Sequence, residues 1–420
     1  MKSDVLERFL RYVQIDTQSA EGAERYPSTA KQLELLTLLA NELRQMGVED
    51  VRQDAYGYVM ATLPGTLPAG HPNANNVPTI GFLAHVDTSP EVSGANVKPQ
   101  VIESYGGGVI TLPGDSTQRL DPAELTDLER SVGHTLVTTD GTTLLGADDK
   151  AGVAEIMSAV AYLLAHPEVE HGPIAVAFTP DEEVGRGTTY FDLEAFGARY
   201  AYTMDGSRAG EIQQETFSAD LATITFHGRN QHPGTAQGKM VNSIKFAAAF
   251  LARLPTDHLS PESTSGYEGF LHPYQIEGGV EQSMLKVLLR DFNDEKLVEY
   301  RTFLQGIAEE IGTLDERLEI ALEFKEQYRN MRDTLHKVPH VIAYAEEAVR
   351  RAGLEPHATP VRGGTDGSRL TAMGLPTPNL FTGGSNYHSL REWASADTMA
   401  KAVQMIVELV KVWGERGEPA

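Results

Sequence analysis

Apolar residues follow two rhythms along this chain, and each rhythm predicts a different kind of element. Val5, Phe9 and Leu10 recur at helical spacing and predict a helix over 4–13. A longer helix is predicted from Ser28, a good N-cap residue, to Met46, with Gly47 stopping it. The runs VPTIGFLA, GPIAVAFT and ARYAYTM are short and almost wholly apolar, as strands buried on both faces are. Between the first two, Ile156, Ala159, Val160 and Leu163 predict a helix over 152–164. Strands alternating with helices predict an α/β fold around a largely parallel sheet.

The rhythm then changes. DLATITFHG (220–228) alternates apolar and polar residues, as a strand with one wet face does. Helices over 241–254 and 294–311 and strands over 284–292 and 317–327 complete a β-α-β-α-β stretch. This reads as a small α+β insert spanning 213–330. After it the first texture returns, with a helix over 338–352, the strand TPNLFTGG (377–384) and a last helix carrying Val403, Ile406, Val407 and Val410. No internal repeat interrupts the 420 residues, and 65–76 reads as a surface loop.

Composition narrows the function classes. The net charge of −24 argues against nucleic acid and anionic membranes as partners, since both need a basic face. No apolar run approaches a membrane span, and Asp4, Glu7 and Arg8 break any leader-like core, so a cytoplasmic location is expected. There is no cysteine, so a transition-metal site must use His, Asp and Glu.

Five stretches place such residues at the C-terminal ends of predicted strands or the start of a helix: AHVDTSP (84–90), LGADDKAG (145–152), TPDEEVGRG (179–187), YTMDGS (202–207) and NYHSLREW (386–393). In open α/β sheets that edge is where sites are built. Each stretch is weak alone, because paired carboxylates usually sit on solvated surfaces and an Asp after a strand usually forms a turn. Together they suit a pair of zinc-like ions, which need one bridging carboxylate and at least two further ligands each. His85, Asp148, Glu183, Asp205 and His388 supply that number. Asp87 is placed to hold the His85 ring from behind, and one glutamate remains as a general base.

These motifs, with HPGTA, SGYEGF, LRDF, YRNMR and RGGTDGSRL, carry a resemblance over nearly the whole chain to the M20 family of metallopeptidases. The resemblance is greatest to the tripeptide aminopeptidases within it. It implies a zinc-exopeptidase-like catalytic domain formed by 1–212 and 331–420, with the insert at 213–330 acting as a lid. It implies two Zn²⁺ per subunit, replaceable by Co²⁺ or Mn²⁺, and short peptides as substrates. It assigns His85 and Asp205 to one ion, Glu183 and His388 to the other, and Asp148 to both. Asp87 orients His85, Glu182 accepts the proton, His232 in HPGTA assists the carbonyl oxygen, and Arg290 in LRDF takes a substrate carboxylate. The chain departs from these relatives at Ser389-Leu390-Arg391, where they carry Gly after the last ligand and a second His before the Glu.

Other residues have narrower readings. Asp149 is expected to cap the helix near Gly152. The glycines of RGGTDGS suit close backbone approach, which makes Arg362 and its loop a candidate substrate contact. His227 is expected to be structural, and His71, His166 and His336 to lie on the surface. An exposed insert sheet would suit a homodimer. Two other activities use the same ligands: an M20 dipeptidase or carboxypeptidase, and an N-acyl amino acid deacylase.

Overall fold

The runs that read as doubly buried strands form the middle of one large sheet in the computed structural model, which describes residues 1–419. Ile174–Thr179, Ile80–His85, Tyr200–Gly206 and Asn379–Phe381 lie side by side and parallel. Their alternate residues face two different cores. Phe82, Val176 and Tyr202 join a cluster with Val5, Phe9, Val153, Ile156, Ile406 and Val410. Leu83, Ala177 and Ala201 join another with Tyr58, Phe196 and Leu370. Burial on both faces is why the runs lack a polar phase. The helices Lys2–Tyr12, Ala147–Ala165 and Ala396–Arg416 supply the first of these clusters with its apolar faces.

The sheet is mixed at its margins. Val59–Leu63 and Asp50–Gln53 add antiparallel on one side, and Glu211–Gln213 pairs antiparallel with Asn379–Phe381 on the other, followed by His357–Ala358. A second, four-stranded sheet is built from Gln100–Ile102, Leu136–Thr138, Gly384–Ser385 and Trp393–Ser395. These strands are two or three residues long, too short for any periodicity to announce them.

One predicted boundary is corrected. The second helix is Gln32–Gln45, and Ser28 does not cap it. Ser28 instead gives its N–H and its hydroxyl to the Asp181 carboxylate, at 2.7 and 2.5 Å. The Ser28 Oγ, which a cap would offer as an acceptor to the helix, accepts from Ala20 N at 3.0 Å instead.

The chain divides into two compact units, the second formed by Glu215–Arg332 with Pro360–Gly364. Its antiparallel sheet runs Phe270–Gly278, Gln282–Asp291, Ser218–His227, Glu319–Tyr328. Ala222, Ile224, Phe226, Val287 and Leu289 face Phe250 and Leu304 of the helices Ser243–Leu251 and Asp294–Gly312. The unit thus has its own core. The strand Phe270–Gly278 had no sequence signal: it is an edge strand, mostly exposed, and Pro273 interrupts its pairing. Among the described residues no helix is long and apolar enough to cross a membrane.

Candidate metal centre

Register explains why distant motifs meet. His85 is the last residue of its strand and pairs with Thr179, the last residue of the neighbouring one. Asp205 sits near the end of the next parallel strand. The three chain ends therefore emerge on one edge of the sheet. Ala147–Ala165 begins at the same edge and brings Asp148, and a loop between Gly384–Ser385 and Trp393–Ser395 brings His388.

Five side chains converge there in two overlapping groups. His85, Asp148 and Asp205 form the first, with His85 Nε2 at 2.9 Å from Asp148 Oδ1 and 3.6 Å from Asp205 Oδ1. Asp148, Glu183 and His388 form the second, with His388 Nε2 at 2.9 Å from Glu183 Oε2 and 3.4 Å from Asp148 Oδ2. Asp148 belongs to both, one oxygen toward each histidine. Glu182 joins neither.

The surroundings hold these groups through the main chain. His85 Nδ1 bonds the carbonyl oxygen of Asp87 at 3.0 Å, while the Asp87 carboxylate stands 3.5 Å away. That carboxylate is engaged elsewhere: it accepts from the N–H groups of Glu182 and Glu183 at 2.9 and 3.2 Å. Asp87 therefore orients the ring through its backbone and the glutamate turn through its side chain. Asp149 caps as expected, accepting from Gly152 N, and its other oxygen accepts from His85 N, both at 3.3 Å.

Three further carboxylates escaped sequence reasoning. Asp181, fully buried with φ of 59°, binds Ser28 and also Gln32 Nε2 at 2.7 Å. Asp366 accepts from the Thr179 hydroxyl at 2.8 Å. Glu392, 1% exposed, accepts from Leu145 N and Gly146 N at 2.7 and 2.8 Å and from Asp148 N at 3.0 Å. All three bond neighbours from distant parts of the chain, a role that leaves no spacing signature. The departure at Ser389 is accommodated locally. Its hydroxyl donates to Asn386 O at 2.7 Å and accepts from Asn386 Nδ2 and Arg391 N, closing the loop around His388.

The electrostatics are those of concentrated negative charge. At His85 burial opposes the imidazolium, but hydrogen bonds to Asp148, Asp205 and Asp87 hold its pKa well above the usual range. Hydrogen bonds to Asp148 and Glu183 push His388 up to about 11. Burial, then the Asp148 charge, pushes Glu183 up to about 8. Burial also drives Glu182 well upward, with Asp366, Asp205 and Glu183 adding to it against His85. Burial would raise Asp148 too, yet hydrogen bonds from His388 and His85 keep it below the ordinary carboxylate range. A cluster that attracts protons this strongly is suited to divalent cations. The donor set agrees: imidazole nitrogens and carboxylate oxygens without thiolate, and a buried Glu183 Oε1 that has no hydrogen-bond partner.

The remaining candidates lie in the second unit. His232 is exposed, and its Nδ1 accepts from Gly234 N at 3.1 Å. A neutral ring so engaged carries its proton on Nε2. Arg290 places its guanidinium over the Tyr328 ring, 5.5 Å from the centroid, and its buried Nε has no hydrogen-bond partner. Arg362 donates to Gly266 O, Glu268 O and Thr264 Oγ1 at 2.6–2.9 Å and covers the Phe217 and Phe270 rings. It ties 264–268 to this unit, which spends most of its donors internally.

Residues 132–412 match the profile of Peptidase family M20/M25/M40. The chain is 50% identical over 416 residues to the peptidase T of Geobacillus kaustophilus, covering 99% of this chain and 100% of that one. Its fold is similar to that of the aminopeptidase PepT from Bacillus cereus, with TM-score 0.73, 24% identity and 98% of each chain covered. A tripeptidase from Staphylococcus aureus shares the fold with TM-score 0.75, 21% identity and 99% of each chain covered.

Proposed function

The chain belongs to peptidase family M20/M25/M40, and from that premise we propose that it is a zinc-dependent aminopeptidase that releases the N-terminal residue of tripeptides. The observation that carries the reading is the sharing of Asp148 between two three-residue groups at one sheet edge. Near-full-length similarity to peptidase T supports the choice of substrate.

His85, Asp148 and Asp205 would hold one ion, and Asp148, Glu183 and His388 the other. Bound ions of this kind supply Lewis acidity, making water acidic near neutral pH and polarising a peptide carbonyl. The protein supplies the rest. The Asp87 carbonyl holds His85 Nδ1, which leaves Nε2 free to ligate. The Asp87 carboxylate fixes the two adjacent main-chain N–H groups, so that Glu183 is delivered to the cluster and Glu182 stands back from it. Glu182 takes the proton of the attacking water on its carboxylate and passes it to the departing nitrogen. His232 offers Nε2–H to the developing oxyanion. Arg290 receives the terminal carboxylate of the substrate, which sets the accepted length. Arg362 serves as a tether for 264–268.

Hydrolysis of di-, tri- and tetrapeptides and of an N-acetylated tripeptide, before and after chelation, tests the assignment. Tripeptides are expected to be cleaved fastest, the acetylated form to resist, and activity to return with Zn²⁺ or Co²⁺. Efficient cleavage of the acetylated peptide would make the protein a deacylase. Full activity in the presence of chelator would remove the metal reading.

A further inference from the structure

Glu392 takes no part in the scheme above, yet it is among the most constrained carboxylates in the molecule. It is 1% exposed, and both its oxygens are occupied by backbone donors. Oε2 accepts from Leu145 N and Gly146 N, and Oε1 from Asp148 N. These donors belong to the turn that opens Ala147–Ala165, where Asp148 and Asp149 depart from helical geometry and no intrahelical partner serves them. Asp148 lies within reach of both histidines of the cluster.

The other end of Glu392 matters equally. It sits four residues after His388 in a loop that is itself braced. Glu392 N donates to Ser389 O, Asn386 Nδ2 donates to Arg391 O, and Trp393 pairs with Ser385 and Thr138. One buried side chain therefore joins the loop carrying His388 to the turn carrying Asp148.

We propose that Glu392 is a positioning residue that fixes the Asp148 backbone against the His388 loop, and so couples the two metal positions. A carboxylate is needed because it presents only acceptors. A glutamine of the same shape turns an amide N–H toward at least one backbone N–H, and that donor is left without a partner. Residues that orient metal ligands are typically worth about 10–100-fold in metal affinity.

The inference rests on reading the two groups as metal sites, and its test separates the two ideas. Metal-free wild type, Glu392→Gln and Glu392→Asp are titrated with Co²⁺, followed by visible absorption and calorimetry. Failure of the wild type to bind Co²⁺ at this cluster would remove the metal reading itself. With binding in the wild type, Glu392→Gln is expected to keep its far-ultraviolet circular dichroism, to bind both ions about 10–100-fold more weakly and to shift the cobalt absorption. Glu392→Asp retains the charge but is one methylene shorter. It is expected to fold and to fall between the other two, and it carries the test if the glutamine variant does not fold. A merely structural role is excluded by repeating Glu392→Gln in an Asp148→Asn background, where the loss in Co²⁺ affinity should nearly vanish. Unchanged affinity and spectrum in both variants, or a loss that adds in full to that of Asp148→Asn, overturns the proposal.

Discussion

Glu182 and Glu183 are chain neighbours with main-chain N–H groups fixed by the same carboxylate, so their different surroundings must come from side-chain direction alone. Glu183 reaches His388 at 2.9 Å; Glu182 belongs to neither ligand group. Two substitutions of equal size should therefore fail differently. Glu182→Gln should keep metal content and KM while kcat falls by about 10²–10⁴, the usual worth of a positioned base. Glu183→Gln should lose metal affinity and recover part of its activity in excess Zn²⁺. Metal analysis alongside kinetics decides, and a metal-depleted Glu182→Gln with a metal-replete Glu183→Gln would reverse the roles. Asp366 offers a pH test at the same scale. Burial raises its pKa from 3.8 to about 6. The folded protein thus favours the protonated acid, and the associated stability is complete below about pH 4 and lost as pH rises through about 6. Asp366→Asn stays neutral throughout, so its Tm relative to metal-free wild type should rise between pH 4.5 and 7.5. A difference that stays flat over that window would show that Asp366 does not titrate there. The five clustered residues were legible because each lies in a short motif at a strand end or helix start. Asp181, Asp366 and Glu392 were not, because their partners lie far away in the chain and no spacing rule reports such pairs.

At the scale of elements, the turn after Ile174–Thr179 is held from several sides. Asp87 holds its N–H groups, Asp366 its Thr179 hydroxyl, and its own Asp181 holds Ser28 and Gln32 of the segment leading into Gln32–Gln45. Asp181 also occupies a left-handed backbone conformation that Asp and Asn tolerate better than Ala. Asp181→Ala should therefore cost about 3 kcal/mol or more, from lost charge-assisted bonds, stranded donors and backbone strain. Asp181→Asn should cost clearly less. Chemical denaturation of the two variants gives the comparison, and equal losses would mean that the charge, which both variants lack, carries the whole effect and that φ does not matter at this position. The same turn shows where element-level reading of a sequence stops. Local rules made Ser28 a helix cap, but its Oγ, the atom a cap would use to accept, receives Ala20 N at 3.0 Å, and the helix starts at Gln32. The edge strand Phe270–Gly278 was invisible for a different reason: with little burial and a proline inside it, only its partner Gln282–Asp291 specifies it. Even the glycines of RGGTDGS, which suggested room for a ligand, have a packing explanation at Gly364, where a Cβ would come within 2.6 Å of the Tyr328 ring.

At the scale of the whole molecule, the clustered ligands and the cores are unevenly distributed. His85, Asp148, Glu183, Asp205 and His388 all belong to the unit formed by Met1–Gln214, Asp333–Thr359 and Thr365–Ala420. The unit of Glu215–Arg332 and Pro360–Gly364 contributes no ligand to either group, and its sheet and two helices enclose a core of their own. A chain built this way need not unfold in one step. Metal held at the two proposed positions would bind the folded first unit and not its unfolded form, so by mass action it would stabilise that unit alone, by about 2.7 kcal/mol when the free ion is at 100 times Kd. Calorimetry of the chelated protein should show two transitions. Zn²⁺ or Co²⁺ should raise one of them by several degrees and leave the other in place. His388→Ala removes one ligand, so it should shrink that rise without moving the second transition. Arg290→Ala should leave the metal-induced rise intact and instead slow tripeptides far more than C-terminally amidated ones, because only the former carry the carboxylate it is proposed to hold. Two transitions moving together with added metal would mean that the units unfold as one body, and the assignment of the ions to a single unit would lose its thermodynamic support.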